Sequence, residues 1–101
     1  MGEAFVGISE ISVPTDGGPA LEDAFRQRMG AVEAWPGFIR LSVLRDRRVG
    51  GRYLMMTEWD DHASFLAYMR STDHRDSHSR IPSGPLQPRA VHFDAYDCVC
   101  R

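Results

Sequence analysis

The run Tyr53-Leu54-Met55-Met56-Thr57-Glu58-Trp59 constrains the fold more than any other part of the chain. Read as a strand, it points Tyr53, Met55, Thr57 and Trp59 to one side and Leu54 and Met56 to the other, so both faces are substantially apolar. A sheet built around such a strand needs cover on both sides. At 101 residues the chain is long enough for one core only. Cover for the second face then has to come from outside the chain, and the simplest source is a second copy of it. A homodimer is the expectation.

The rest of the sequence supplies the partners of that strand. Phe5 to Val13 is rich enough in β-branched and aromatic residues for a first strand, which Pro14-Thr15-Asp16-Gly17-Gly18-Pro19 breaks. From Ala20 the period changes. Leu21, Phe25, Met29 and Val32 recur at helical spacing until Pro36-Gly37 ends the run. Phe38 to Asp46 and Arg52 to Trp59, joined by a short basic turn with Gly50-Gly51, read as a hairpin.

Asp60 or Asp61 then caps a helix through Arg70, on which Phe65 and Met69 form an apolar arc with Tyr68 at its edge. Ser71-Thr72-Asp73 interrupts that helix and caps a further short piece, His74 to Arg80. Three prolines make Ile81 to Pro88 a loop, and the alternating run Ala90 to Val99 closes the chain as a strand. The order β-α-β-β-α-β over residues 1–101 is that of one α+β domain of ferredoxin-like type, with a four-stranded antiparallel sheet.

Composition narrows the function. The formal net charge is -2, and the one dense basic cluster is Arg45, Arg47 and Arg48, which argues against a nucleic-acid partner. No basic segment followed by a long apolar run opens the sequence, and no window approaches the roughly 18 apolar residues of a membrane span, so a cytoplasmic protein with no membrane partner is expected. Cys98 and Cys100, two residues apart on a strand, are expected to stay reduced. A nucleophile with an assigned base, a glycine-rich phosphate loop and carboxylates that sequence would pair are all missing, which argues against a hydrolase or a nucleotide-dependent enzyme.

Several residues stand out against this background. Arg28 projects within the apolar arc of helix one, so its guanidinium either snorkels to the rim or faces a cleft as an anchor for a ligand carboxylate. His74 and His78, four apart, share a helix face. Zinc would need further ligands, the Glu that follows the first His in metalloprotease helices is here Arg75, and His92 lies far off in sequence. An exposed histidine pair is the plain alternative, and one imidazole ligating a porphyrin iron is the sharper one. Ser9 shares a strand face with Phe5, Ile11 and Val13; its hydroxyl either bonds to backbone or faces a cleft. Tyr68 is core, cleft wall or a hydrogen-bond donor to bound oxygen.

Taken together, Glu33-Ala34-Trp35-Pro36-Gly37-Phe38, the Tyr53 to Trp59 strand and Phe65-Leu66-Ala67-Tyr68 resemble the antibiotic biosynthesis monooxygenase superfamily over residues 5–99. The resemblance implies a dimeric α+β barrel. The spacing is most similar to the IsdG-type heme-degrading monooxygenases, which use an Asn on the first strand, a Trp on the second helix and, about ten residues later, a His as axial heme ligand. By position the resemblance assigns Ser9, Tyr68 and His78 to those catalytic places. His78 would ligate the heme iron, with Arg28, Phe25 and His74 in the cofactor-binding set and Arg28 near the propionates. Ser9 and Tyr68 replace the amide and the indole with which that family orients and distorts heme.

Three functions follow from this reading. The leading one is a monooxygenase for which heme is both cofactor and substrate, cleaved with O₂ and an external electron donor. The second is a cofactor-independent monooxygenase that oxidises a polycyclic phenol to a quinone in antibiotic biosynthesis, where Trp59, Tyr68, Tyr53 and the histidines give walls and bases. The third is a non-catalytic dimeric module that binds a small, planar, apolar ligand.

Overall fold

The computed structural model describes residues 3–27, 32–71 and 88–101. Its elements are β1 (Ala4–Ser12), α1 (Gly18–Gln27), β2 (Phe38–Arg45), β3 (Arg52–Trp59), α2 (His62–Met69) and β4 (Arg89–Cys98), with a single 3₁₀ turn, Thr15–Gly17, leading into α1. The strands form one antiparallel sheet in the order β2-β3-β1-β4. This is the ferredoxin-like arrangement, with β1 and β3 at the centre. No described helix is long and apolar enough to cross a membrane.

Register fixes what each face carries. Ile8 pairs with Met56, Gly7 with Thr57 and Ser9 with Met55, while on the other side of β1 Gly7 pairs with Ala95 and Ser9 with Phe93. Directly opposed residues point the same way. Phe5, Gly7, Ser9 and Ile11 therefore share the helix-bearing face with Tyr53, Met55, Thr57, Trp59 and Phe93. The outer face holds Val6, Ile8, Leu54 and Met56. Ion pairs flank those four: Arg52 grips both oxygens of Glu10 at 3.1 and 3.3 Å, and Glu58 is held by Arg40 and Arg101.

Two elements differ from the sequence reading. Helix one does not run to Pro36: Val32 to Ala34 are turn, closed by i→i+3 bonds from Trp35 N–H to the Val32 carbonyl (3.0 Å) and from Phe38 N–H to the Trp35 carbonyl (3.0 Å). Proline has no N–H to give and excludes the α conformation at Trp35, so the chain tightens before it turns. Gly37 completes the reversal at φ 84°, and a Cβ there would collide with Ser64. On α2, whose N-cap is Asp61 through a 2.8 Å bond from Ser64 N–H, the buried pair is Phe65 and Tyr68, whereas Met69 is 41% exposed. The inward stripe therefore runs through positions 65 and 68, and Met69 lies outside it.

The hairpin between β2 and β3 depends on Asp46 and Gly51. Gly51 sits at φ 81° against the Val13 carbonyl, and its own carbonyl accepts the Val13 N–H at 2.8 Å. The Asp46 carboxylate accepts backbone N–H bonds from Val49 (2.9 Å) and Arg48 (2.7 Å) and a bond from Arg52 (2.7 Å), which hold its pKa at about 2 against an ordinary 3.8. A depressed carboxylate stabilises the fold above its unfolded pKa and ceases to do so as pH falls through the folded one. We expect the melting temperature to drop between pH 3.8 and about 2, and Asp46→Asn to lower it at neutral pH while flattening that part of the curve. Coincident curves for parent and variant would show that Asp46 has no such role.

Candidate functional site

Among the described residues, two apolar clusters cover the helix-bearing face, and they do not merge. One gathers Phe5, Val32, Trp59, Phe65 and Tyr68 beneath α2, with Trp35, Phe38 and Leu41 packed on it. The other gathers Val13, Leu21 and Tyr53 beneath α1, with Ile11, Phe25 and Val43 packed on it. On β1, β2 and β3 the boundary falls at the same level. Leu41 belongs to the first and Val43 to the second; Trp59 to the first and Tyr53 to the second; Phe5 to the first and Ile11 to the second. Between them runs a strip made by Gly7 and Ser9 of β1, Thr57 and Met55 of β3 and Phe93 of β4.

The strip is thin because of its residues. Gly7 contributes no side chain, and a Cβ there would press on the Phe93 ring at 3.1 Å. A glycine inside a strand marks a place where something approaches the backbone closely. Ser9 adds one hydroxyl. Phe93, 46% exposed, stacks on Phe65 with ring centroids 5.8 Å apart and 14° between planes. The Phe93 ring thus lies over Gly7, which is buried, and the half-buried Ser9 and Met55 are what remain of the strip toward the second cluster.

The α2 wall is an aromatic cluster of close geometry. Trp59, 1% exposed, lies 5.4 Å from Tyr68 and edge-on to Phe38 (5.4 Å) and Phe65 (6.0 Å), while Trp35 meets Tyr68 edge-on at 5.6 Å. Such pairs add about 0.5–1.5 kcal/mol each beyond their burial. Trp59 Nε1 is a buried donor with no hydrogen-bond partner among the described residues. His62, exposed at the start of α2, packs on the Phe5 ring at 4.7 Å.

At the opposite end, Glu22 of α1 is tied to the sheet by two polar contacts. Tyr53, 3% exposed, donates its phenol hydrogen to Glu22 at 2.5 Å, and Arg45 donates to the same oxygen at 2.8 Å. Tyr53 and then Arg45 hold the Glu22 carboxyl below the usual range; burial and then the Glu22 charge push the phenol up. Gly18 makes this possible, since a Cβ there would stand 2.8 Å from the Tyr53 oxygen.

Of the residues singled out from sequence, Tyr68, 4% exposed, lies in the α2 wall, Ser9 in the strip, and Phe25, half-buried, on the α1 side. Tyr68 and Phe25 thus belong to different clusters with Ser9 between them. Arg28, His74 and His78 lie outside the described residues. Tyr53, grouped with the cleft walls in the polycyclic-phenol reading, anchors α1 through Glu22 and lines the groove between α1 and the hairpin. His92 pairs with Asp94 at 2.9 Å on the exposed surface, and no group of three or more potential metal-ligating side chains occurs among the described residues. Gly7, Met55 and Phe93 were not singled out; the glycine inside a strand was the available signal for the first.

Residues 4–80 match the antibiotic biosynthesis monooxygenase family. A mycobilin-producing heme oxygenase of Mycobacterium tuberculosis is 40% identical over 63 residues, 62% of this chain and 60% of that protein. The chain thus spans 60% of the length of the curated relatives it matches. The crystal structure of the heme-degrader MhuD from Mycobacterium tuberculosis with two hemes bound in its active site superposes with a TM-score of 0.79 at 29% identity, over 96% of this chain and 97% of that one. A mutant MhuD carrying two manganese protoporphyrin IX per active site gives 0.82 at 28% identity, over 96% of each chain. SnoaB, a cofactor-independent oxygenase from Streptomyces nogalater, gives 0.76 at 15% identity, over 98% of this chain and 96% of that one, a likeness of fold alone.

The anchor at Tyr53 can be tested separately from any ligand. Tyr53→Phe keeps the ring and removes the hydrogen bond to a charged acceptor, and should lower the melting temperature by roughly 5 °C or more. An unchanged melting temperature would mean that α1 is held by packing alone.

Proposed function

The chain belongs to the antibiotic biosynthesis monooxygenase family, and from that premise we propose that it is a heme-degrading monooxygenase whose substrate lies on the strip between the two apolar clusters. The observation that carries the reading is the strip itself. A sheet face between two apolar clusters, with the Phe93 ring over Gly7 and the half-buried Ser9 and Met55 beside it, offers flat apolar surface to a macrocycle, and relatives whose names record heme degradation share the fold at 28–29% identity. Bound heme would supply both the iron that activates O₂ and the ring that is oxidised, with electrons from an external donor.

In this proposal His78 ligates the iron, and Arg28 pairs with a propionate, with His74 nearby. Among described residues, Phe25 walls the α1 side, Ser9 offers a hydroxyl from the floor, and Tyr68 stands in the α2 wall with Trp59 behind it. A phenol and a hydroxyl in place of the indole and amide give less bulk against the ring, so binding is expected to survive better than turnover. Added hemin should give a saturable Soret shift that His78→Ala abolishes, and ascorbate should then drive loss of that band in the parent. A flat titration would remove the heme proposal.

The exchange of Asn for Ser and Trp for Tyr favours one second reading, a cofactor-independent oxidation of a polycyclic phenol on the same floor. Oxygen uptake with an anthrone by metal-free protein would support it. If neither hemin nor such a phenol raises the melting temperature, as a ligand of the folded state must, a non-catalytic binding module replaces both.

We also propose a homodimer through the outer face. Val6, Ile8, Leu54 and Met56 are only half-buried there, and Leu44 and Tyr96 are 47% and 50% exposed. Sedimentation equilibrium should give twice the chain mass, and Met56→Asp should shift it toward monomer; a monomeric parent at micromolar concentration would contradict this.

A further inference from the structure

A groove of about 610 Å³ opens where α1 meets the hairpin strands, at the far end of the sheet from α2. Phe25, Val43 and Tyr53 give it an apolar wall, and Arg26, Arg45 and Arg47 give it cations. One carboxylate, Glu22, lies among them, and it is fully engaged: Oε2 accepts from Tyr53 and Arg45, while Oε1 faces Arg26 at 3.4 Å. Asp23, just outside the lining, pairs with Arg26 at 3.2 Å, so three guanidinium groups against Glu22 and Asp23 leave a net charge of 3 − 2 = +1. Arg47 makes no ion pair among the described residues, and Asp46 beside it is committed to Arg48, Val49 and Arg52.

We infer that this groove binds an amphipathic carboxylic acid, its apolar body against Phe25 and Val43 and its carboxylate on Arg47, with Arg45 second. Charge complementarity selects the class of ligand. The chain has no lysine, so all 12 Lys-plus-Arg positions are arginine, whose planar fork matches a carboxylate in two parallel bonds. Glu22 keeps Arg45 in place at the rim, so little ordering is needed when a ligand arrives. The site shares Phe25 with the heme proposal and otherwise differs from it: its charged groups lie on α1 and the hairpin, and it requires neither His78 nor the strip.

Fluorescence titration with 1-pyrenebutyrate, using the full chain, tests it. Arg47→Glu should weaken binding by about tenfold or more, the scale of a lost charge-assisted hydrogen bond. Arg48→Glu makes the same charge change on the same turn outside the groove lining and should leave binding within about twofold. Pyrenebutanol, which keeps the body and loses the carboxylate, should bind about equally weakly to all three proteins. Competition by dodecanoate would indicate that the site accepts an aliphatic acid as well as an aromatic one, and its absence an aromatic one alone; both agree with the proposal. Equal weakening by the two substitutions would reduce the effect to general charge attraction and overturn it, as would tight binding of pyrenebutanol to the parent. Melting curves for each variant confirm that it is folded, and a hemin titration of Arg47→Glu, expected to match the parent, separates failure here from failure of the heme proposal.

Discussion

The hydrogen bond from the buried Tyr53 phenol to Glu22 decides how α1 lies on the sheet, and through that how the whole helix-bearing face is divided. A phenol removed from water has to find an acceptor, and the acceptor it finds is one turn into α1, reached over Gly18. With α1 held at the Val13 and Tyr53 end, and α2 gathered around Trp59 at the other, no described residue of either helix joins the two clusters. The strip of Gly7, Ser9 and Met55 follows from that division of labour.

The two ends are held by different physics. Around Trp59 the binding is dispersion and burial among rings at 5.4 to 6.0 Å, which tolerates changes in solvent charge. Around Tyr53 and Asp46 it is charge and hydrogen bonding, with both carboxylates held below their ordinary range. Acid therefore loosens the Glu22 and Asp46 contacts, and the Asp61 cap of α2, also held below its ordinary range by its bonds from Ser64, is lost by the same route.

Much of the fold was legible because the periods were clean. Alternation placed all four strands within a residue or two, and Asp61 signalled the start of α2. The end of α1 was misread because Val32 fits the helical arc by spacing, while its burial belongs to the α2 cluster, reached through a turn that Pro36 forces. Met69 was misplaced for a similar reason, since position 69 falls within an arc drawn on the helix alone and the sheet selects the stripe through 65 and 68. Ser9 and Phe25 could be named as facing inward, but not as lying on either side of a cluster boundary. That boundary arises from which helix reaches which residue, and it has no local signature beyond Gly7.

Met55 and Met56 are neighbours in sequence on opposite faces of the sheet, one in the strip and one on the outer surface. This makes their ε-methyl groups a paired reporter for where a paramagnetic macrocycle sits. In ¹³C-methyl methionine spectra, one equivalent of ferric hemin should broaden the Met55 signal beyond detection and leave Met56 sharp. Loss of Met56 with Met55 retained, or uniform broadening of both, would place the ligand elsewhere and contradict a substrate lying between the two clusters.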